Sequence, residues 1–139
     1  MISECRRIIG LCSLLSISFV AGCGGATTAE VKGVVTHKGA PITGGTLIFS
    51  PVQSGKPATA EVQSDGTYTL STFGKNDGAV LGKHKVAFTP PPQQLTEEQK
   101  TNPKYIAPPP KYMGLQPNTA EVEVKSGANK IDMELVPKK

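Results

Sequence analysis

The side chains able to do covalent or metal chemistry are few in this chain, and their positions limit what they can do together. Cysteine stands at 5, 12 and 23, histidine at 37 and 84, and tyrosine at 68, 105 and 112. A zinc site needs clustered Cys or His, and the two histidines lie 47 positions apart. A serine nucleophile needs a positioned base and an orienting acid, and no Gly-x-Ser-x-Gly or comparable setting occurs. Asp65, Asn76 and Asp77 carry calcium-type oxygens, but their spacing matches no calcium loop, and turn geometry explains them better. No catalytic residue, metal ligand or cofactor is assigned, and the chain reads as non-enzymatic. His37 beside a turn and His84 among lysines are expected to face solvent or to be partly buried.

Cys23 is the exception, because of what precedes it. Residues 1–22 comprise a short start with Arg6 and Arg7, an apolar run from Ile8 to Val20, and the small residues Ala21 and Gly22. That is how a secretory signal is built, and the run is too short to span a bilayer comfortably. Val20-Ala21-Gly22-Cys23 resembles the bacterial lipobox. The resemblance implies a diacylglyceryl group on the Cys23 thiol, cleavage before it, and acylation of the new amino terminus. Each buried methylene contributes about 0.8 kcal/mol, so two or more chains hold firmly where one binds reversibly. Cys5 and Cys12 leave with the signal, so the mature chain has no intrachain disulfide. The Arg6-Arg7 surroundings match a twin-arginine signal poorly, which favours the general export route. Residues 23–29 read as the lipidated cysteine and a short linker, which places the domain against a cell membrane or outer membrane, facing the periplasm or exterior.

The elements after the linker follow from a two-residue period. Fifteen glycines and twelve prolines in 139 residues favour strands and turns over helices. Alternating runs occur around Val31–Val35, Leu47–Phe49, Ala60–Val62, Tyr68–Leu70, Val86–Phe88, Val122–Val124 and Ile131–Leu135. Turn residues separate them, including Asp65-Gly66 in a tight hairpin. Seven short strands, each with one apolar face, bury those faces by stacking two sheets. The expected class is all-β: a seven-stranded antiparallel β-sandwich, prealbumin-like or immunoglobulin-like, over residues 30–136. A small closed barrel would show similar patterning.

Several short motifs carry a family resemblance. Val31-Lys32-Gly33-Val34-Val35, Gly39-Ala40-Pro41, Gly44-Gly45-Thr46-Leu47-Ile48-Phe49 and Asp65-Gly66-Thr67-Tyr68-Thr69-Leu70 resemble the carboxypeptidase regulatory-like domain, a transthyretin-like (prealbumin-like) sandwich. Gly82-Lys83-His84-Lys85-Val86, Lys111-Tyr112 and the run from Val124 to Ile131 are similar to small bacterial lipoproteins with that domain. The resemblance covers nearly all of residues 30–136 and implies a generally non-catalytic domain. Intradiol dioxygenases, whose catalytic domain has a related sandwich, bind iron with two histidines and two tyrosines. They draw both histidines from one His-x-His strand, which this chain lacks.

The departure from that family is the stretch 90–117, which holds eight of the twelve prolines. Thr96-Glu97-Glu98-Gln99 has capping-box spacing for one or two helical turns, ended by Asn102-Pro103. Pro103-Lys104-Tyr105-Ile106 is echoed by Pro110-Lys111-Tyr112-Met113. A loop this long is functional or disordered. In one reading Tyr105 and Tyr112 fold back over a sheet edge, leaving a structural or protein-interaction module. In the other, Lys104, Tyr105, Lys111 and Tyr112 form a surface for a glycan or peptide, although tryptophan, the usual sugar platform, is absent.

Formal charge is +4, and a chain starting at Cys23 keeps 13 basic and 10 acidic side chains, a net of +3. Its basic residues are all lysine, without the forked guanidinium that reads guanine edges, so nucleic acid is not an expected partner. The expected partners are the membrane, through the anchor, and an envelope protein or glycan; the expected state is a monomer.

Overall fold

The computed structural model describes residues 27–139. The expected signal segment and Cys23 lie outside these residues. Among the described residues the chain is all-β, with a single five-residue helix. Its strands are β1 (Thr28–Ala29), β2 (Val31–His37), β3 (Ala40–Pro41), β4 (Thr46–Pro51), β5 (Ala58–Glu61), β6 (Thr67–Thr69), β7 (Ala79–Val80), β8 (Gly82–Thr89), β9 (Leu115–Pro117), β10 (Glu121–Val124), β11 (Asn129–Lys130) and β12 (Met133–Pro137). Each of the seven alternating runs overlaps a strand, with Val62, Leu70 and Ile131 just outside theirs, and the twelve strands among the described residues correct the expected count of seven. The other five strands are two or three residues long, too short for a two-residue period to show.

One sheet has four strands in the order β10-β8-β4-β5, all neighbours antiparallel. A second runs β11-β2-β12-β9, with β3 and β6 also paired to β2, and β1 pairs with β7 in a two-stranded sheet. The second sheet corrects the antiparallel expectation, because β11 and β12 both run parallel to β2. Alternation of apolar residues reports which face is buried and says nothing about strand direction. The first strand also begins earlier than expected. Thr28 and Ala29, assigned to the linker, pair with Val80 and Ala79, and Ala29 is buried.

Both larger sheets contribute to one apolar cluster. Leu47, Phe49, Val86, Phe88 and Val124 come from the four-stranded sheet, and Val31, Val35, Tyr68, Met133 and Leu135 from the other. The Phe49 and Tyr68 rings, one from each sheet, lie 6.2 Å apart between centroids and tilted by 38°. Burying each large side chain contributes roughly 1.5–3 kcal/mol, so the shared cluster is what holds the two sheets together.

Candidate functional site

The proline-rich stretch leaves the domain beside Gly44, where Pro91 packs, and returns to it through Tyr112. The helix α1 (Glu97–Thr101) starts as its sequence implies: Thr96 Oγ1 accepts from the Gln99 N–H, and Gln99 Oε1 accepts from the Thr96 N–H. None of its residues is buried. Past Asn102, a local turn bonds the Tyr105 N–H to the Asn102 carbonyl at 3.0 Å and the Lys104 N–H to Asn102 Oδ1 at 3.0 Å. Lys104 is exposed and Tyr105 half-buried.

Tyr112 behaves differently from its echo. It packs against the apolar cluster, and its hydroxyl accepts from the Thr43 N–H at 3.1 Å and lies 3.3 Å from Thr43 Oγ1. Lys111 donates to Thr43 Oγ1 at 3.0 Å, with its ammonium 4.8 Å from the Tyr112 ring centroid, inside cation–π range. Burial acts to raise the Tyr112 phenol, but the hydrogen bonds with Thr43 and Lys111 and the Lys111 charge outweigh it and hold the group below its usual range. Tyr112 also has φ of 66°, a backbone state that aromatic residues rarely adopt. Its contacts with Thr43 and the core hold it there. Of the four residues expected on the loop, then, Lys111 and Tyr112 meet at Thr43. Among the described residues no hydrogen bond joins Lys104 or Tyr105 to them.

The histidines do not share a site. His37 Nδ1 lies 2.7 Å from the Leu135 carbonyl and the ring is half-buried. His84 corrects the expectation of a solvent-facing or partly exposed ring, since only 1% of it is accessible. Its place in β8 explains this: His84 shares the inward parity of Val86 and Phe88, while Lys83 and Lys85 take the outer face. Its Nδ1 sits 3.0 Å from the Gly82 carbonyl, and Nε2 is buried without a partner. Among the described residues no group of three or more His, Cys, Asp or Glu is placed to hold a metal ion.

The turn acids act on their own backbone. Asp65 Oδ1 accepts from the Thr67 N–H at 3.0 Å and from its hydroxyl at 2.6 Å. Asp77 accepts three N–H groups, from Thr72 at 2.7 Å, Phe73 at 2.9 Å and Gly74 at 2.8 Å. The bond from Thr72 contributes most to holding the Asp77 carboxyl below its usual value. The result is a closed loop that presents Lys75 and Asn76.

Those two residues line a cleft of about 690 Å³ with Thr59, Glu61, Thr67 and Thr69. The cleft follows a ladder that opens in the middle. Thr59 and Ser71 exchange both backbone bonds at 2.9 Å, and the Gln63 N–H reaches the Thr67 carbonyl at 2.8 Å. The intervening pair, Glu61 and Thr69, is not bridged. Pairing of β5 with β4 through Val62, and of β6 with β2 through Leu70 and Gly66, turns the backbone groups of Glu61 and Thr69 away from their own sheets. The cleft therefore offers hydroxyls, a carboxylate, an ammonium and unzipped backbone amides. The sequence signal for it is the odd-numbered Thr59, Glu61, Thr67, Thr69 and Ser71, the outward positions of a hairpin whose two strands belong to different sheets.

No family model matches the chain, and no curated protein matches it. Among solved structures, the chain is similar to the crystal structure of a DUF3823 family protein from Parabacteroides merdae ATCC 43184, with TM-score 0.46 and 15% sequence identity over 81% of this chain and 48% of that one. This chain spans about half the length of the structure it matches.

Proposed function

We propose that the protein is a lipid-anchored extracytoplasmic lipoprotein whose β-domain is a non-enzymatic structural or protein-interaction module. In this reading residues 1–22 leave as a signal, Cys23 carries the lipid, and the two sheets stack as a β-sandwich of the carboxypeptidase regulatory-like kind. The apolar run that ends on Val20-Ala21-Gly22-Cys23 is the observation that supports it most, and the first strand sets how close an anchored domain would lie. With Thr28 already paired to Val80, residues 24–27 separate Cys23 from the fold, a reach of roughly 14 Å at about 3.5 Å per residue. An anchor at Cys23 would hold the domain on the membrane surface. The structural role is supported by Tyr112, whose ring and hydroxyl are engaged by the core and by Thr43. Fractionation tests the reading: the wild-type protein is expected with membranes, and a wild-type protein recovered in the soluble fraction would overturn it.

A second reading, binding of a glycan or other small polar ligand, is favoured by the opened Glu61–Thr69 pair and moves the ligand from the proline-rich loop to the β5–β6 cleft. It predicts that an oligosaccharide raises the melting temperature of the wild-type protein and not of Glu61→Ala. An unchanged melting temperature across neutral and N-acetylated oligosaccharides would remove it.

A further inference from the structure

We infer that the end of the domain at which the chain enters is a membrane-contact face, with Val52, Phe73 and Leu81 entering the lipid interface and Lys56 meeting the headgroups. The inference rests on the lipid-anchor reading of Cys23 for its occupant and on the fold for its shape.

Val52, Phe73 and Leu81 are 49%, 58% and 38% exposed. Single exposed apolar side chains need no explanation. These three come from separate segments near the entry point, with Leu81 and Phe73 on a path of contacts from Thr27 and Val52 bonded to Lys83, two residues past Leu81. The Leu81 N–H donates to the Thr27 carbonyl at 3.2 Å, and Thr28 pairs with Val80. The Val80 side chain lies against Gly55. Next to Gly55, Lys56 places its ammonium 5.5 Å from the Phe73 ring centroid. Val52 is bonded through its N–H to the Lys83 carbonyl at 2.8 Å, just past the last paired residues of β4 and β8. A continuous path thus runs from Thr27 through Leu81, Val80 and Gly55 to Lys56 and Phe73.

The occupant follows from where the rest of the chain lies. Thr27 is four residues from Cys23, so a bilayer holding that residue's lipid is within reach of this end of the domain. Charge agrees. Lys56 stands on the patch and Lys75 on the loop of Phe73, while the carboxylate of Asp77 on that loop is turned onto three backbone N–H groups. Apolar side chains flanked by lysine suit the headgroup boundary of an anionic leaflet, and each lysine near such a surface adds to the attraction. Seating this face would also fix the domain's orientation, with the β5–β6 cleft beside the membrane because Lys75 and Asn76 belong to the same loop as Phe73.

The chain contains no tryptophan, so Phe73→Trp supplies a single emitter at an exposed position. The mature full-length variant is reconstituted into vesicles containing phosphatidylglycerol. The expected result is blue-shifted emission, quenched by acyl chains brominated near the headgroup. Emission of a water-exposed indole without quenching would overturn the inference. So would equal quenching of Ile106→Trp, a 91% exposed site outside the path, since it would show that the domain has no preferred face. The mass of the amino terminus separates the two readings. Quenching with an unmodified Cys23 supports the contact face and removes the anchor, whereas a lipidated Cys23 with an unquenched indole does the reverse.

Discussion

The carbonyl of Ile131 occupies the space over Gly33 where any other residue would carry its Cβ. The close approach lets the Tyr68 hydroxyl, on the strand paired with Gly33, donate to that carbonyl at 2.5 Å. Next to it, Asp132 accepts the Val34 N–H at 3.0 Å, filling the ladder position between β11 and β12. Gly33→Ala drives a methyl group into backbone that cannot move without parting β2 from these strands. The expected loss is about 3–5 kcal/mol, read from the urea midpoint. An unchanged midpoint would show that residues 131 and 132 are free to retreat.

Tyr68 predicts an alkaline limit to stability. Burial, and then the Asp132 charge, raise its phenol well above the ordinary tyrosine value. A group raised in the folded state contributes fully below its unfolded value and loses that contribution as pH rises, so stability should fall above about pH 10. In Tyr68→Phe this fall should be shallower, while the lost hydrogen bond lowers stability at neutral pH by about 1 kcal/mol. Equal slopes in the two proteins, measured by urea unfolding on either side of about pH 10, would contradict this assignment.

The two loop tyrosines should separate. Tyr112→Phe keeps the ring and loses the Thr43 bonds, an expected loss of about 0.5–1.5 kcal/mol. Tyr112→Ala should lose more, since it also removes ring area at about 25 cal/mol per Å². Tyr105→Ala should stay within about 0.5 kcal/mol of wild type. Thermal melting of the three variants, beside a pull-down from envelope extract, is the check. A stable Tyr112→Ala that loses a partner would move the loop from an edge seal to a binding surface.

That separation marks where the sequence stops being legible. Pro103-Lys104-Tyr105 and Pro110-Lys111-Tyr112 read alike, and only the position of Thr43, 69 residues before Tyr112, decides which ring docks. Faces were readable wherever alternation ran long enough, as in β8, where the same parity that buries Val86 also buries His84. A histidine between two lysines carries a polar label, and side-chain type hid what register revealed. The capping box at Thr96 was readable because it is local, three residues from donor to acceptor. The parallel β2–β11 and β2–β12 pairings join residues 98 positions apart and leave no local trace. The β5–β6 cleft is of the same kind, since its opening depends on which sheets the two hairpin arms join.

Asp77 should be visible in amide exchange. Its carboxylate serves the N–H groups of Thr72, Phe73 and Gly74, and with its ionisation favoured by those bonds the loop should hold above the ordinary carboxylate range and loosen as pH falls below it. Asp77→Ala is expected to speed exchange at those three amides while leaving the β4–β8 ladder protected. Protection of the three amides equal to wild type would show that the loop closes without the carboxylate.

The lipid-anchor reading stands on Cys23. Intact-mass and peptide mass spectrometry of the amino terminus of the mature protein, purified from membranes, tests it most directly. The predicted result is a chain beginning at Cys23 with a diacylglyceryl group on its sulfur. A chain that begins elsewhere, or a Cys23 with a free thiol, would contradict the account.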